Sequence, residues 1–122
     1  MKTSVKYSQP TTLKDPVAVV QISGSIDGSN AALLEQTLNA QANDGHAMIV
    51  ADVADVHYIS SGALRAFMGC MRKCRSQNGD LRIANVQPSV SEVLELSGLI
   101  GMFSVFETTS EAVQSFSQEA AS

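Results

Sequence analysis

Two adjacent serines lie where a predicted buried strand gives way to a predicted amphipathic helix. They are Ser60 and Ser61, in the stretch Tyr58-Ile59-Ser60-Ser61-Gly62-Ala63-Leu64-Arg65. Backbone N–H groups in the first turn of a helix have no intrahelical partner and carry partial positive charge. A serine there can cap the helix, bind an anion or carry a phosphate group. We expect at least one of the two to be a cap, and the residue types alone leave the division of roles open.

Nucleophilic catalysis and phosphate binding are two further interpretations of this turn. The nucleophile turn of hydrolases, Gly-x-Ser-x-Gly, needs a glycine two residues before the serine, where this chain has Tyr58 or Ile59. His57 is close in sequence, but no His and Asp pair is placed to act as a base. The phosphate-binding pattern Gly-x-x-x-x-Gly-Lys is absent. A small serine hydrolase is therefore only a remote alternative.

Cys70 and Cys74 are four residues apart on one predicted helix, a spacing that a metal pair or a redox pair would share. A metal site would need further ligands, and the only histidines, His46 and His57, are isolated in the sequence. A disulfide across one helical turn also has poor geometry. We therefore expect two small core residues in a reducing compartment, with no metal and no cofactor.

The bulk composition indicates one soluble domain, spanning residues 1–122. The chain is 44% hydrophobic, enough for a core, and 16% charged with a net charge of −4. Nucleic-acid binding usually needs a basic excess, so that role is disfavoured. The first residues lack a signal peptide's apolar run, and no apolar stretch is long enough to span a bilayer. We expect a cytoplasmic protein without membrane insertion.

Hydrophobic periodicity predicts the element order β-β-α-β-α-β-α-β-α. The predicted strands cover residues 4–8, 17–22, 48–53, 81–86 and 103–106. The predicted helices start at Ser29 or Asn30, at Ser61, at Pro88 or Ser89, and after Thr108. The third and fourth helices begin with capping boxes, formed by Ser89 with Glu92 and by Thr108 with Glu111. Gly98 ends the third helix. This alternation indicates an α/β sandwich with a mainly parallel or mixed sheet of four to five strands and about four helices. The two serines then lie at the carboxyl end of a strand, where sites form in such sheets.

Several landmarks, in order along most of the chain, together resemble the STAS domain, specifically the stand-alone anti-anti-sigma factors (anti-sigma factor antagonists) of bacterial partner-switching systems. Any one landmark is weak, but their order and spacing are specific. They are Val19 to Asp27, Ile49 to Val53, Tyr58 to Ser61 followed by Leu64-Arg65, Gly79 to Pro88, Leu96 to Leu99, and Thr109 to Val113.

The resemblance implies a non-enzymatic regulator. Members of that family bind a histidine-kinase-like anti-sigma factor while their turn serine is unmodified, lose binding when that kinase phosphorylates the serine, and are restored by a PP2C-type phosphatase. Matching on Leu64 and Arg65 makes Ser61 the phosphoacceptor and puts Ser60 where many members have Asp. The other register makes Ser60 the acceptor and puts Ile59 at that Asp position. We prefer Ser61, because an isoleucine fits the hydrophobic position before the Asp.

The resemblance also implies a set of partner-binding residues. They are Asp27, Ser60, Ser61, Gly62, Leu64 and Arg65. Residues alone leave Asp27 equally suited to capping the first helix. Ala63 stands where the family has glycine, with Gly62 one position early, a shift that would affect the start of the helix.

The basic side of the second helix has two open interpretations, a solvated face or a docking surface for an acidic partner. Its members are Arg65, Arg72, Lys73 and Arg75. Within the same fold, a regulator of another client remains the alternative function, either a biofilm or motility regulator or a lipid-transporter subunit.

Overall fold

Strands and helices alternate along the chain in a computed structural model that describes residues 4–8, 17–98 and 101–120. The strands are β1 (Ser4–Ser8), β2 (Ala18–Ile26), β3 (Met48–Ile59), β4 (Asp80–Ala84) and β5 (Ser104–Phe106). The helices are α1 (Ala31–Asn43), α2 (Ser61–Ser76), α3 (Pro88–Leu96) and α4 (Thr109–Ala120). None of these helices is both long and apolar enough to span a bilayer, a statement that holds for the described residues only.

The strands form one sheet in the order β1-β2-β3-β4-β5. β1 is antiparallel to β2, whereas the other neighbouring pairs are parallel. The predicted α/β class, with a mainly parallel or mixed sheet and four helices, is confirmed. Because β2 to β5 run in one direction, their carboxyl ends meet at one edge of the sheet, and α1 to α4 begin at that edge.

β2 and β3 are longer than the sequence predicted. Ends at residues 22 and 53 were expected, with a loop through His57, but the strands continue to Ile26 and Ile59. Two register shifts in the β2–β3 pairing, between Gln21 and Ser23 and between Gly24 and Ser25, accommodate this polar stretch. Gly24 has a φ of 93°, a conformation that its missing Cβ permits. Pairing across the sheet therefore overrides the loop-like local sequence.

The sheet carries helices on both faces. The larger core cluster joins α1, α2 and α3 to one face through residues such as Leu38, Phe67 and Leu94. The smaller cluster joins α4 to the other face through Ala112 and Phe116. This arrangement leaves the first turn of α2 at the rim, where a strand end and a helix start meet.

Cys70 and Cys74 are both free and fully buried in the larger cluster, and their Sγ atoms are 3.9 Å apart. The prediction that they are core residues is confirmed. Apolar burial and the hydrogen bond with Cys74 raise the pKa of the Cys70 thiol, with the hydrogen bond the larger cause. The thiol form is therefore favoured at Cys70, as expected of a cysteine that packs in a core.

Two predicted helix ends are confirmed. The Thr108 hydroxyl oxygen accepts a hydrogen bond from the Glu111 N–H at 3.1 Å, which caps α4. Gly98 follows α3 with a φ of 77°, and its N–H donates to the Glu95 carbonyl at 3.1 Å.

At two other helix starts the predicted position is confirmed and the predicted side-chain cap is wrong: α3 begins at Pro88, and Asn30 precedes α1. The N-cap of α3 is Gln87, and the Ser89 hydroxyl instead donates to the His57 carbonyl at 2.8 Å, so no Ser89–Glu92 box forms. Asn30 is the N-cap residue of α1, but its side chain makes no capping bond. In both places a more distant backbone group competes successfully for the side chain.

Candidate functional site

Ser60 caps α2. Its Oγ accepts a hydrogen bond from the Ala63 N–H at 3.2 Å, and its carbonyl accepts one from the Leu64 N–H at 3.1 Å. Its own N–H donates to the Ile26 carbonyl at 2.8 Å. Three bonds on a half-buried residue fix its backbone and side chain together. The expectation that one of the two serines is a helix cap is confirmed for Ser60.

Ser61 is the first residue of α2 and is exposed. Its hydroxyl makes no hydrogen bond with any residue in the described part of the chain. The two serines that look equivalent in sequence are therefore different in structure. Of the pair, only Ser61 presents an exposed hydroxyl that has no capping role.

Gly62 lets α1 and α2 begin side by side. A Cβ atom on Gly62 would lie 3.3 Å from the Cβ of Ala31, the first residue of α1. The next residue, Ala63, is fully buried in the core. The exchange of Gly and Ala relative to the family pattern leaves the start of the helix intact, because the cap bond between Ser60 and Ala63 is made.

The Asp27 carboxylate is exposed at the end of β2. Its Oδ1 accepts hydrogen bonds from the Ser29 hydroxyl at 2.6 Å and from the Ser29 N–H at 2.8 Å. These bonds, the hydroxyl one first, hold the pKa of Asp27 below its ordinary value of 3.8. The Asp27 carbonyl meanwhile accepts from the Ala31 N–H at 3.0 Å. Asp27 therefore carries a full negative charge at neutral pH and also supports the start of α1.

The Asn30 side chain bonds to backbone groups on both sides of the turn that follows β2. Its Nδ2 donates to the Ser25 carbonyl at 2.9 Å, and its Oδ1 accepts from the Asp27 N–H at 2.8 Å. The turn that holds Asp27 is thus fixed on both sides. Since Ile26 bonds to Ser60, Asp27 lies beside the residue that precedes Ser61.

Leu64 and Arg65 have opposite environments. Leu64 belongs to the core, with 6% of its surface exposed, so it supports the start of the helix from beneath. Arg65 is exposed and forms no ion pair with a described residue. Of these two predicted partner-binding residues, only Arg65 offers a side chain to a partner.

The basic residues of α2 do not act as one group. Arg75 donates to Asp80 Oδ1 at 3.0 Å and to the Met102 carbonyl at 3.3 Å, so its charge is used within the fold. Arg72 is exposed. Seven residues separate Arg65 from Arg72, so both lie on one side of the helix.

Tyr58 is a neighbour of the site that sequence reasoning did not select. It is 52% exposed and is paired in register with Ser25 of β2. Strand alternation explains its position, because Ile59 is buried and successive side chains point to opposite faces. The sequence could have predicted an exposed Tyr58 from strand alternation, but only if the third strand had been predicted to extend to Ile59.

A polar cavity of about 130 Å³ lies between β2 and β3, away from the serines. Its lining includes Gln21, Ser23, Asp52 and Asp55. Asp52 Oδ1 accepts hydrogen bonds from Asn85 Nδ2 at 3.0 Å and from the Ala54 N–H at 3.1 Å. None of the residues predicted for partner binding lines this cavity.

The family model of the STAS domain matches residues 9–112. BtrV of Bordetella bronchiseptica, named as a candidate anti-sigma factor antagonist, is 31% identical over 102 residues, which cover 84% of this chain and 88% of BtrV. The anti-sigma-B factor antagonist of Staphylococcus aureus is 27% identical over 99 residues, which cover 81% of this chain and 92% of that protein.

Solved structures agree with this relationship at the level of the fold. The anti-sigma factor antagonist SpoIIAA of Bacillus is similar in its unphosphorylated form, with a TM-score of 0.78, 18% identity and coverage of 94% of this chain and 97% of that one. Its phosphorylated form gives a TM-score of 0.69 at 18% identity, with coverage of 93% and 99%. Together with the match over residues 9–112, these relatives show that the chain belongs to the STAS domain family, among the anti-sigma factor antagonists.

Proposed function

We propose that this protein binds an anti-sigma factor while Ser61 is unmodified and releases it when Ser61 is phosphorylated. The observation that carries the proposal is the division between the two serines. The Ser60 side chain is bonded to the Ala63 N–H, whereas the Ser61 hydroxyl is exposed and unbonded among the described residues. A kinase can reach Ser61 without first breaking a helix cap.

The phosphorylation step is an ordinary phosphoryl transfer. The Ser61 oxygen attacks the γ-phosphorus of ATP, the bond from that phosphorus to the β–γ bridging oxygen breaks, and ADP leaves. The hydroxyl proton passes to a base supplied by the kinase. This chain contributes the acceptor oxygen and its position, so in the proposal it acts as a substrate and binding partner rather than as an enzyme.

A phosphate on Ser61 suits the free protein better than the complex. Phosphoserine adds about −1.5 to −2 charges, and the N-terminus of α2 favours negative charge. In a packed interface the same group must lose water and face the partner's surface, which costs binding free energy. Phosphorylation therefore acts on association and leaves the domain folded.

The proposed contact surface is smaller than the six residues expected from the sequence. It comprises Asp27, Ser60, Ser61, Gly62 and Arg65, with Leu64 as a buried support. Tyr58 adds an exposed aromatic ring next to it, a residue type that is enriched where proteins associate. The proposed surface thus combines the phosphoacceptor with an anion, a cation and an aromatic side chain.

The relatives support the same assignment. Two curated proteins with which this chain shares most of its length are named as anti-sigma factor antagonists, and SpoIIAA is known in both phosphorylation states. In the proposal the partner is a histidine-kinase-like serine kinase, and a PP2C-type phosphatase restores the unmodified serine.

The proposal is tested by binding measurements with three forms of the full chain and the candidate anti-sigma factor from the same genome. We expect Ser61→Ala to bind as the wild type does and to keep binding in the presence of ATP. Ser61→Asp should bind more weakly. Equal affinity of Ser61→Asp and the wild type, or release of Ser61→Ala by ATP, would overturn the assignment.

A further inference from the structure

We propose that Arg65 is the internal partner of the phosphate on Ser61, so that phosphorylation takes this guanidinium group away from the anti-sigma factor. The inference rests on the proposed function for the phosphate itself. It adds a second effect to the switch, because the modification then removes an attractive group as well as adding a repulsive one.

Helix geometry brings the two side chains together. Ser61 and Arg65 both lie within α2 and are four residues apart, so they are neighbours on one face of the helix. Side chains in a helix lean toward its N-terminus, and a long one covers the turn before its own Cα. The Arg65 side chain is therefore placed and long enough to bring its guanidinium group to a phosphate on Ser61.

Neither side chain has a competing partner in the described part of the chain. Arg65 is exposed and forms no ion pair there, and the Ser61 hydroxyl makes no hydrogen bond there. By contrast, the exposed Arg75 is already bonded to Asp80. The charge of Arg65 is thus available to an acidic partner before phosphorylation and to the phosphate afterwards.

Asp27, the acidic residue at the end of β2, forms no ion pair with Arg65. Asp27 accepts two hydrogen bonds from Ser29 through its Oδ1 atom. Arg72 is exposed as well, but it lies eleven residues after Ser61, about three helical turns away. Among the described residues of α2, Arg65 is the cation one turn from the phosphoacceptor.

Phosphate oxygens and a guanidinium group form charge-assisted, often bidentate hydrogen bonds. Such a bond favours the dianionic phosphate, which makes the second ionisation of phosphoserine a direct readout of the pair. This readout needs neither the kinase nor the anti-sigma factor.

The test uses the full chain with phosphoserine placed at position 61 during translation, in wild-type, Arg65→Gln and Arg72→Gln backgrounds. The phosphorus NMR signal is followed from pH 4 to 9, chosen to bracket an ordinary phosphoserine pKa of about 6. We expect the phosphoserine to have the same second pKa in the wild type and in Arg72→Gln. In Arg65→Gln that pKa should be about 0.3 higher. The difference should shrink in 1 M salt, since the pair is exposed.

Equal pKa values in the wild type and Arg65→Gln would overturn the pairing, as would a change in Arg72→Gln as large as that in Arg65→Gln. Because the phosphate is installed without a kinase, this result is independent of whether Ser61 is the natural acceptor. If the kinase does not phosphorylate Ser61 but the pKa still differs between the wild type and Arg65→Gln, the proposed function is wrong and the pairing of Arg65 with the phosphate stands. Both arginines are exposed, so the variants keep the fold that the comparison needs.

Discussion

The Ser60 N–H donates to the Ile26 carbonyl at 2.8 Å, and this single bond joins the end of β2 to the N-cap of α2. It has two consequences for the site. Ser60 is bonded to the sheet as well as to its own helix. Asp27, which follows Ile26, therefore lies beside the two serines. The backbone that precedes the exposed Ser61 is therefore fixed by hydrogen bonds.

The first prediction concerns the two serines separately. Ser60→Ala removes the cap acceptor of the Ala63 N–H, so we expect it to lower the free energy of unfolding by about 1 kcal/mol. Ser61→Ala removes an exposed hydroxyl that bonds to none of the described residues, and it should change the free energy of unfolding by less than about 0.5 kcal/mol. Urea unfolding of both variants checks this, and equal losses would contradict the division of roles.

The second prediction compares two glycines. A Cβ on Gly79 would collide with the backbone carbonyl of Ala47, so Gly79→Ala should destabilise the protein by at least about 2 kcal/mol. Gly69 lies in α2, and no atom of the described residues lies within 4 Å of such a Cβ, so Gly69→Ala should stabilise the protein by about 0.5–1 kcal/mol. Thermal unfolding separates the two, and a stable Gly79→Ala would show that the α2–β4 turn is looser than described.

The third prediction concerns Asp80, which joins α2 to the α4 face of the sheet. Its two carboxylate oxygens accept from Arg75 at 3.0 Å and from Arg82 at 3.2 Å, and these arginine side chains are 49% and 4% exposed. Asp80→Ala removes a carboxylate that pairs with the buried Arg82 and should cost about 3 kcal/mol. Arg75→Ala removes a half-exposed pair and should cost less than about 1 kcal/mol.

Arg82 is held in addition by the Ser115 hydroxyl at 2.6 Å and lies 3.9 Å from the ring centroid of Phe116. Loss of Asp80 should therefore loosen α4 first. Hydrogen exchange in α4 of Asp80→Ala is the specific measurement, and unchanged protection there would contradict this account of how α4 is attached.

The fourth prediction concerns the titration of Asp27. The Ser29 hydroxyl and N–H favour the carboxylate and hold the pKa of Asp27 below 3.8. The associated stabilisation is present above pH 3.8 and is lost as the pH falls through the lower folded-state value. Carbon-13 NMR should show an Asp27 midpoint below 3.8 that rises in Ser29→Ala, and an unmoved midpoint would exclude the hydroxyl as the main cause.

The fifth prediction concerns binding. Arg65→Gln should weaken association with the anti-sigma factor by about fivefold at low salt, because an exposed cation is lost from the proposed surface. Arg72→Gln, seven residues further along the helix, is the matched control and should weaken it less. If both variants bind as the wild type does, the contact surface does not extend along α2 to Arg65.

Much of the fold was predictable because the buried strands and amphipathic helices follow simple hydrophobic periods. The polar ends of β2 and β3 were not, since Ser23, Gly24 and Ser25 look like a loop locally and become a strand only through pairing with β3. The position of Asp27 beside Ser60 depends on that pairing. It therefore required the three-dimensional structure.

The candidate site was predicted in outline and not in its contacts. The sequence marks Ser60 and Ser61 as equally good caps, whereas the structure distinguishes them by the hydrogen bond from the Ala63 N–H to Ser60 and by the exposure of Ser61. The family resemblance places Leu64 at the contact surface, but in the structure the helical turn directs it into the core. Helical periodicity alone places Ala63 or Leu64 on the core side of this helix, and the structure buries both.

The most direct measurement is the site of phosphorylation. The full chain is incubated with the candidate anti-sigma kinase and ATP, and the peptide that contains Ser60 and Ser61 is fragmented in a mass spectrometer. We expect one phosphate, on Ser61, in the wild type and in Ser60→Ala, and none in Ser61→Ala. A phosphate on Ser60, or on Ser61→Ala at any position in this peptide, would contradict the assignment of Ser61 as the switch.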